Sequence, residues 1–158
     1  MEITQWKHEI FICLKKYAKE ILKKFHLDDG KAMNTPINQK EKFSKEDGAD
    51  KVDEAHFKGL IRCLMYLSTT RPDILFVVSI LSRFMHCTSE FHLKAAKRVV
   101  RYIKWTVNYG VKYCKEQNFK LFDFSDSDWP SSLDDMKSTT GYYFSMGSGV
   151  FSWYWSRK

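Results

Sequence analysis

Residues 119–129 read FKLFDFSDSDW and combine strand alternation with a pair of carboxylates. Apolar residues fall on both faces of this stretch, which is typical of a central strand in a covered sheet. The strand leads into Asp126 and Asp128, and a carboxylate at the end of a buried strand is costly unless it is paired, hydrogen-bonded or bound to a cation. Two interpretations follow: a strand-end turn, which spacing alone favours, or a site for a hard divalent cation such as Mg²⁺ with Asp126 as ligand.

Further strand patterns lie on both sides of this stretch. Residues 2–14 predict two short strands around a polar turn, and residues 111–114 predict another short strand. After the carboxylates, residues 139–147 and 149–155 alternate again. The Met-Gly-Ser-Gly run that joins them is typical of a hairpin turn.

Helical periodicity begins after the first strand pair. Apolar residues at three- and four-residue steps predict a helix over residues 14–26, with Gly30 as its terminator. Residues 30–50 are rich in Gly, Asn, Lys, Asp and Glu and contain a proline. We expect this linker to be extended and weakly ordered.

Three more helices are predicted between the linker and the later strands. The first covers residues 53–68 and has an apolar stripe made of Phe57, Leu60, Ile61, Leu64 and Leu67. The second begins at Pro72, which suits a first helical turn. The third covers residues 88–107 behind a Thr-Ser cap, and the residues expected to face the core are Ala95, Ala96, Val99, Val100 and Ile103. The second is apolar nearly all round, so we expect it to be the buried one. A run of helices followed by a run of strands is typical of an α+β fold.

Positive charge is concentrated on the last of these helices. Residues 90–120 hold eight Lys or Arg against two Glu, whereas residues 121–158 hold three against five Asp. Five cations of the helix recur at three- and four-residue steps and share one face: Lys94, Lys97, Arg98, Arg101 and Lys104. Such a face suits the phosphate backbone of a nucleic acid, and a solvated helix face is the alternative that charge leaves open.

The composition indicates a globular chain, with 44% hydrophobic and 28% charged residues. Four scattered cysteines without a Cys-x-x-Cys pair do not match a zinc site and indicate reduced thiols. The N-terminus has no apolar signal core, and no window approaches ~18 uninterrupted apolar residues. We therefore expect an intracellular protein, cytoplasmic or nuclear, that is neither secreted nor in a membrane.

Several runs of the sequence resemble the Pol polyproteins of copia-type retrotransposons. EIFICLKKYAKEILKKF resembles the segment that leaves the palm of the reverse transcriptase and enters its thumb. GLIRCLMYLSTTRPDILFVVSILSRFM and HLKAAKRVVRYIKWTVNYGV resemble the helical block between polymerase and RNase H. FSDSDW followed by LDDMKSTTGYYFSMGSGVFSW resembles the start of the RNase H domain.

This resemblance implies a division of the chain into four parts. A palm-exit hairpin and thumb helix would cover residues 1–29, a linker 30–50, and the helical block 51–110. A truncated RNase H-like sheet, mixed or antiparallel, would cover residues 111–158.

The family activities implied are RNA-directed DNA polymerase and ribonuclease H, but most of the catalytic residues are missing. The resemblance implies that Asp126 is catalytic and binds Mg²⁺, with Asp128 as a further candidate at the metal. No Tyr-x-Asp-Asp motif occurs in the sequence, and we expect the remaining RNase H carboxylates to lie beyond Lys158. We therefore expect a fragment that is inactive alone, with an RNA–DNA hybrid or other nucleic acid and the rest of the polyprotein as partners.

Three other functions remain open. An active nuclease would need two metal ions, which one strand-borne Asp cannot hold. A nucleic-acid-binding module would use the cationic helix face. Some secreted oomycete effectors share the Thr-Arg-Pro-Asp-Ile helical block, but the absent signal core disfavours that interpretation.

Two residues depart from the family where it has glycine. Arg62 stands at a position that implies close packing, and burial of an arginine there would be costly. Trp105 would be disfavoured if its position required a left-handed helix cap.

Overall fold

The computed structural model describes residues 1–38, 41–115, 120–128 and 139–157. Within these residues the chain forms four helices and two three-stranded antiparallel sheets, which confirms the predicted α+β fold. In chain order the elements are β1 (Glu2–Gln5), β2 (Glu9–Cys13), α1 (Lys15–Lys24), α2 (Glu54–Leu67), α3 (Pro72–Ser82), α4 (Glu90–Trp105), β3 (Val111–Cys114), β4 (Leu121–Asp128), β5 (Thr139–Met146) and β6 (Gly149–Arg157).

The first sheet has the strand order β1-β2-β3. The sequence pattern placed β3 with the strands that follow it, whereas β3 pairs antiparallel with β2. It also contacts the second sheet, because the Tyr113 hydroxyl donates to the Val150 carbonyl at 2.7 Å and the Cys114 N–H donates to the Ser148 hydroxyl at 2.7 Å. Strand alternation carries no information about the pairing partner, so this position could not be predicted. The proposed domain division stays a prediction.

The second sheet has the order β4-β5-β6 and includes the predicted hairpin. Two tryptophans of β6 connect it to the helices. Trp153 Nε1 donates to the Ser68 carbonyl at the end of α2, at 3.0 Å, and the Trp155 ring lies 4.8 Å from the ring of Phe76 in α3. The aromatic side chains of β6 thereby hold this sheet against the helical core.

The helices enclose the main core. The apolar stripe predicted for α2 is entirely buried: Phe57, Leu60, Ile61, Leu64 and Leu67. The helix α3, whose sequence is apolar nearly all round, buries five of these apolar residues: Ile74, Val77, Val78, Ile80 and Leu81. Burial of each such side chain contributes about 1.5 to 3 kcal/mol relative to exposure. The periodicity therefore predicted both helices and the faces that they bury.

A buried arginine joins the start of α3 to the end of α4. Arg71 donates to both carboxylate oxygens of Asp73, at 2.9 and 2.7 Å, and to the carbonyl and hydroxyl of Thr106, at 3.0 and 2.6 Å. The Tyr102 hydroxyl donates to Asp73 at 2.9 Å. Burial and the charge of Asp73 raise the pKa of Tyr102 to about 12. The network fixes the orientation of α4.

The helix α1 ends earlier than predicted. Its last residue is Lys24, and His26 takes the left-handed conformation with φ of 53°. The N–H groups of His26 and Leu27 donate to the carbonyls of Lys23 and Leu22, at 3.1 and 2.9 Å. These two bonds form a Schellman motif, in which glycine is the usual left-handed residue. Gly30 is therefore not the terminator.

Arg62 and Trp105, the two residues that stand where the family has glycine, both fit the fold. Arg62 is exposed on α2, so its charge stays in water. Trp105 is 65% exposed, and His26 is the one non-glycine residue with positive φ among the described residues, so position 105 requires no glycine. Within the same residues, no helix combines the length and the apolar character needed to span a bilayer.

Candidate nucleic-acid interface

The helix α4 begins at a cap that fixes its direction. Ser89 Oγ accepts a hydrogen bond from the His92 N–H at 3.3 Å, and His92 Nδ1 accepts one from the Ser89 N–H at 3.1 Å. This capping box pairs N–H groups that the first turn of a helix leaves unsatisfied. The side of α4 that faces the core then buries Ala95, Ala96, Val99, Val100 and Ile103. The predicted cap and the predicted buried face are both confirmed.

The cations of the predicted face lie outside this buried side, but their surroundings differ. Lys94 is exposed and pairs with Glu90 one turn earlier, at 3.2 Å between Nζ and Oε1. Both side chains of this pair are largely exposed, so it contributes little to stability. The other four cations are half-buried, namely Lys97, Arg98, Arg101 and Lys104.

The linker covers part of this cationic face. Residues 28–38 and 41–52, called the strap below, run antiparallel to α4. Lys104 Nζ donates to the carbonyls of Asp28 and Gly30, the latter at 2.8 Å. Arg98 donates to the carbonyl and hydroxyl of Thr35, at 3.3 and 2.8 Å.

The strap is held by burial farther along. Phe43 is 5% exposed and its ring lies 5.5 Å from Phe91 and 6.2 Å from Phe84. The sequence predicted a weakly ordered linker because this segment is rich in Gly, Asn, Lys, Asp and Glu and contains a proline. One buried ring and a series of carbonyl groups hold it nevertheless, and carbonyl acceptors leave no signal in a sequence.

A carboxylate of the strap reaches the cap of α4. The Ser89 hydroxyl donates to Asp47 Oδ2, and Asp47 Oδ2 lies 3.8 Å from Nε2 of the buried His92. Burial pushes the pKa of the Asp47 carboxyl upward, but the hydrogen bonds from Ser89 and Ala49 outweigh it, so the net pKa is lowered. Sequence reasoning missed Asp47, because its partners lie some forty residues later in the chain.

Asp126 lies in β4, and the position of this strand corrects one prediction. Among the described residues β4 pairs with β5 and stands at the edge of the sheet, not at its centre. Phe122 and Phe124 are 45% and 59% exposed. Apolar residues on both faces predicted a covered strand, but burial depends on the elements packed against a strand, and alternation does not report them.

For the expected metal ligands Asp126 and Asp128 the structure gives only the backbone register. Asp126 lies across from Gly141, and Asp128 lies across from Thr139, while the side chains of both aspartates are outside the described part. Asp123 is exposed and, by strand alternation, lies on the other face of β4 from residue 126. In the described ranges no group of three or more His, Cys, Asp or Glu could hold a metal ion. Mg²⁺ at Asp126 and Asp128, and catalysis by Asp126, stay predictions.

The described residues thus define an α+β protein with a cationic helix and two antiparallel sheets. Its sequence is 36% identical over 139 residues to the retrovirus-related Pol polyprotein from transposon RE1 of Arabidopsis thaliana, covering 88% of this chain and 10% of the relative. It is 40% identical over 78 residues to the uncharacterized mitochondrial protein AtMg00240 of the same plant, covering 49% of this chain and 70% of the relative. The chain belongs to the family that these proteins form, which includes the retrovirus-related Pol polyproteins of transposons.

A third relative is named for a different role. The secreted RxLR effector protein 161 of Plasmopara viticola is 37% identical over 94 residues, which are 59% of this chain and 66% of the relative. The chain spans only a tenth of the transposon RE1 polyprotein that it matches. No protein-family model and no solved structure matches it.

Proposed function

We propose that this chain is the segment of a copia-type retrotransposon Pol polyprotein that joins the reverse transcriptase to RNase H, and that it is inactive alone. The observation that carries the proposal is the order of elements in a chain that matches a Pol polyprotein over 88% of its length. A hairpin and helix come first, then a helical bundle, then an antiparallel sheet with Asp126 in its edge strand. This is the order in which the sequence runs resemble palm exit, helical block and RNase H start.

Inactivity follows from the number of carboxylates available. Ribonuclease H chemistry uses two metal ions, which several carboxylates must hold. The sheet offers Asp126 and Asp128 on one strand, and among the described residues β4 is an edge strand, which a further strand can extend. We infer that the remainder of the polyprotein supplies both that strand and the missing carboxylates.

The test is an incubation of the purified chain with an RNA–DNA hybrid and Mg²⁺. We expect no specific cleavage. Cleavage that Asp126→Asn abolishes and Asp123→Asn retains would overturn the proposal, since Asp123 is an exposed carboxylate of the same strand.

We also propose that the cationic face of α4 binds nucleic acid. In the described part of the chain, Arg98 and Lys104 bond to uncharged oxygens, so their charge is not neutralised. Lys94 pairs with an exposed carboxylate that salt readily screens. The face therefore keeps most of its positive charge for phosphate groups.

A titration with an RNA–DNA duplex at several salt concentrations tests this interface. Five phosphate contacts predict that log K falls with log salt at a slope of roughly −4 to −5. A variant with Lys97→Ala, Arg98→Ala and Arg101→Ala should reduce the slope by about 2 to 3.

The matched control removes three exposed lysines from α1, by Lys16→Ala, Lys19→Ala and Lys23→Ala. It lowers the net charge equally and should change the slope much less. Equal effects of the two triple variants would contradict a specific interface on α4.

A further inference from the structure

We propose that the first half of the strap competes with nucleic acid for the cations of α4, so that nucleic acid binds by displacing residues 28–35. This inference rests on the proposed nucleic-acid-binding function and adds its regulation. The two half-buried cations with described hydrogen bonds, Arg98 and Lys104, donate to Thr35, Asp28 and Gly30. A phosphate group that binds this face would accept hydrogen bonds from the same donors, which the strap already engages.

The chemistry of the acceptors favours displacement by phosphate. The strap presents carbonyl and hydroxyl oxygens, which satisfy the donors of Arg98 and Lys104 but carry no net charge. A phosphate oxygen accepts the same hydrogen bonds and adds the attraction between opposite charges. The bonds from Arg98 to Thr35 and from Lys104 to Asp28 are also exposed to solvent, so opening them buries no unpaired group.

The two halves of the strap are held by different forces. Along the first half, the Met33 N–H donates to the Arg101 carbonyl at 3.2 Å, beside the side-chain bonds just described. Along the second half, Phe43 is buried, and the Val52 and Glu90 N–H groups donate to the carbonyls of Thr88 and Asp50, at 3.3 and 2.8 Å. A polyanion cannot replace the apolar packing contacts of the buried Phe43 ring. Residues 28–35 should therefore open while residues 43–52 stay in place.

Residue-resolved amide hydrogen exchange, with and without a short RNA–DNA hybrid, tests this division in the full chain. We expect exchange of the Met33 amide to accelerate about tenfold when the hybrid is bound, since its acceptor on α4 is lost. Exchange of the Val52 amide should stay unchanged, because the second half of the strap does not move.

A variant measures the competition independently. Thr35→Val removes the hydroxyl that accepts from Arg98, and we expect it to bind the hybrid about threefold to tenfold more tightly. Thr69→Val is the matched control, because it removes an exposed hydroxyl at the end of α2, away from the strap. It should leave the affinity unchanged.

The outcomes separate this inference from the function on which it rests. Hybrid binding with unchanged Met33 exchange and an unchanged affinity of the Thr35→Val variant would overturn the competition but leave the interface on α4 intact. Absence of hybrid binding by both wild type and variant would overturn the proposed function and the competition together.

Discussion

Trp155 in β6 lies across from Gly141 in β5, and its indole ring occupies the space beside the Gly141 Cα. A Cβ at residue 141 would stand 2.8 Å from three carbons of that ring. The same ring packs on Phe76 of α3, so the close approach at Gly141 helps to hold the second sheet on the helices.

Gly141→Ala should therefore destabilise the protein by about 1 to 3 kcal/mol, because the ring must shift away from its packed position. Gly59→Ala is the control, since a Cβ there meets no atom within 4 Å and the residue lies inside α2. It should raise stability by about 0.5 to 1 kcal/mol. Urea unfolding measures both, and a stabilising Gly141→Ala would contradict the packing described.

Arg71→Ala should cost about 2 to 4 kcal/mol of the free energy of unfolding. The Arg71 side chain is 3% exposed and bonds to Asp73 and Thr106. Asp73 is 33% exposed, so water replaces some of the hydrogen bonds that its carboxylate loses, which reduces the destabilisation. Arg62→Ala removes an exposed arginine from α2 and should change stability by less than about 0.5 kcal/mol. Similar losses for both variants in chemical denaturation would show that the buried network does not hold α3 to α4.

Asp47→Asn should lower stability at neutral pH but not in strong acid. The net pKa of Asp47 is lowered in the folded chain, so its contribution is fully present above the ordinary Asp pKa of about 3.9. That contribution is lost as pH falls through the lowered pKa. Unfolding free energies of wild type and variant, measured from neutral to strongly acidic pH, should converge at the acid end. A constant difference across this range would contradict the assignment.

His26→Gly should stabilise the protein by about 1 kcal/mol. His26 occupies the left-handed position that ends α1, where a side chain is strained and glycine is not. The measurement is a thermal or urea unfolding curve, with His56→Gly inside α2 as a control that should destabilise by a similar amount. A loss of stability in His26→Gly would indicate that the imidazole makes a compensating contact.

Local patterns predicted most of the fold because they report local physics. The stripe from Phe57 to Leu67, Pro72 at the start of α3, and the hairpin between β5 and β6 all follow from periodicity and turn chemistry. Three other features depend on contacts between residues that are distant in sequence: the pairing of β3 with β2, the exposure of Phe124 and the bonds that Arg98 donates to the strap. No local pattern contains that information, so the cations of α4 were identified but the segment that covers part of their face was not.

We propose that this chain is one part of a longer Pol unit, whose edge strand β4 pairs with a later segment. The direct measurement compares amide exchange in β4 for the chain alone and for a chain extended by the segment that follows the matched region in the transposon RE1 polyprotein. We expect strong protection of the β4 amides that do not pair with β5, together with hybrid cleavage that requires Asp126. Equal exchange in both proteins, with no cleavage by the extended chain, would show that the longer polyprotein adds no partner strand to β4.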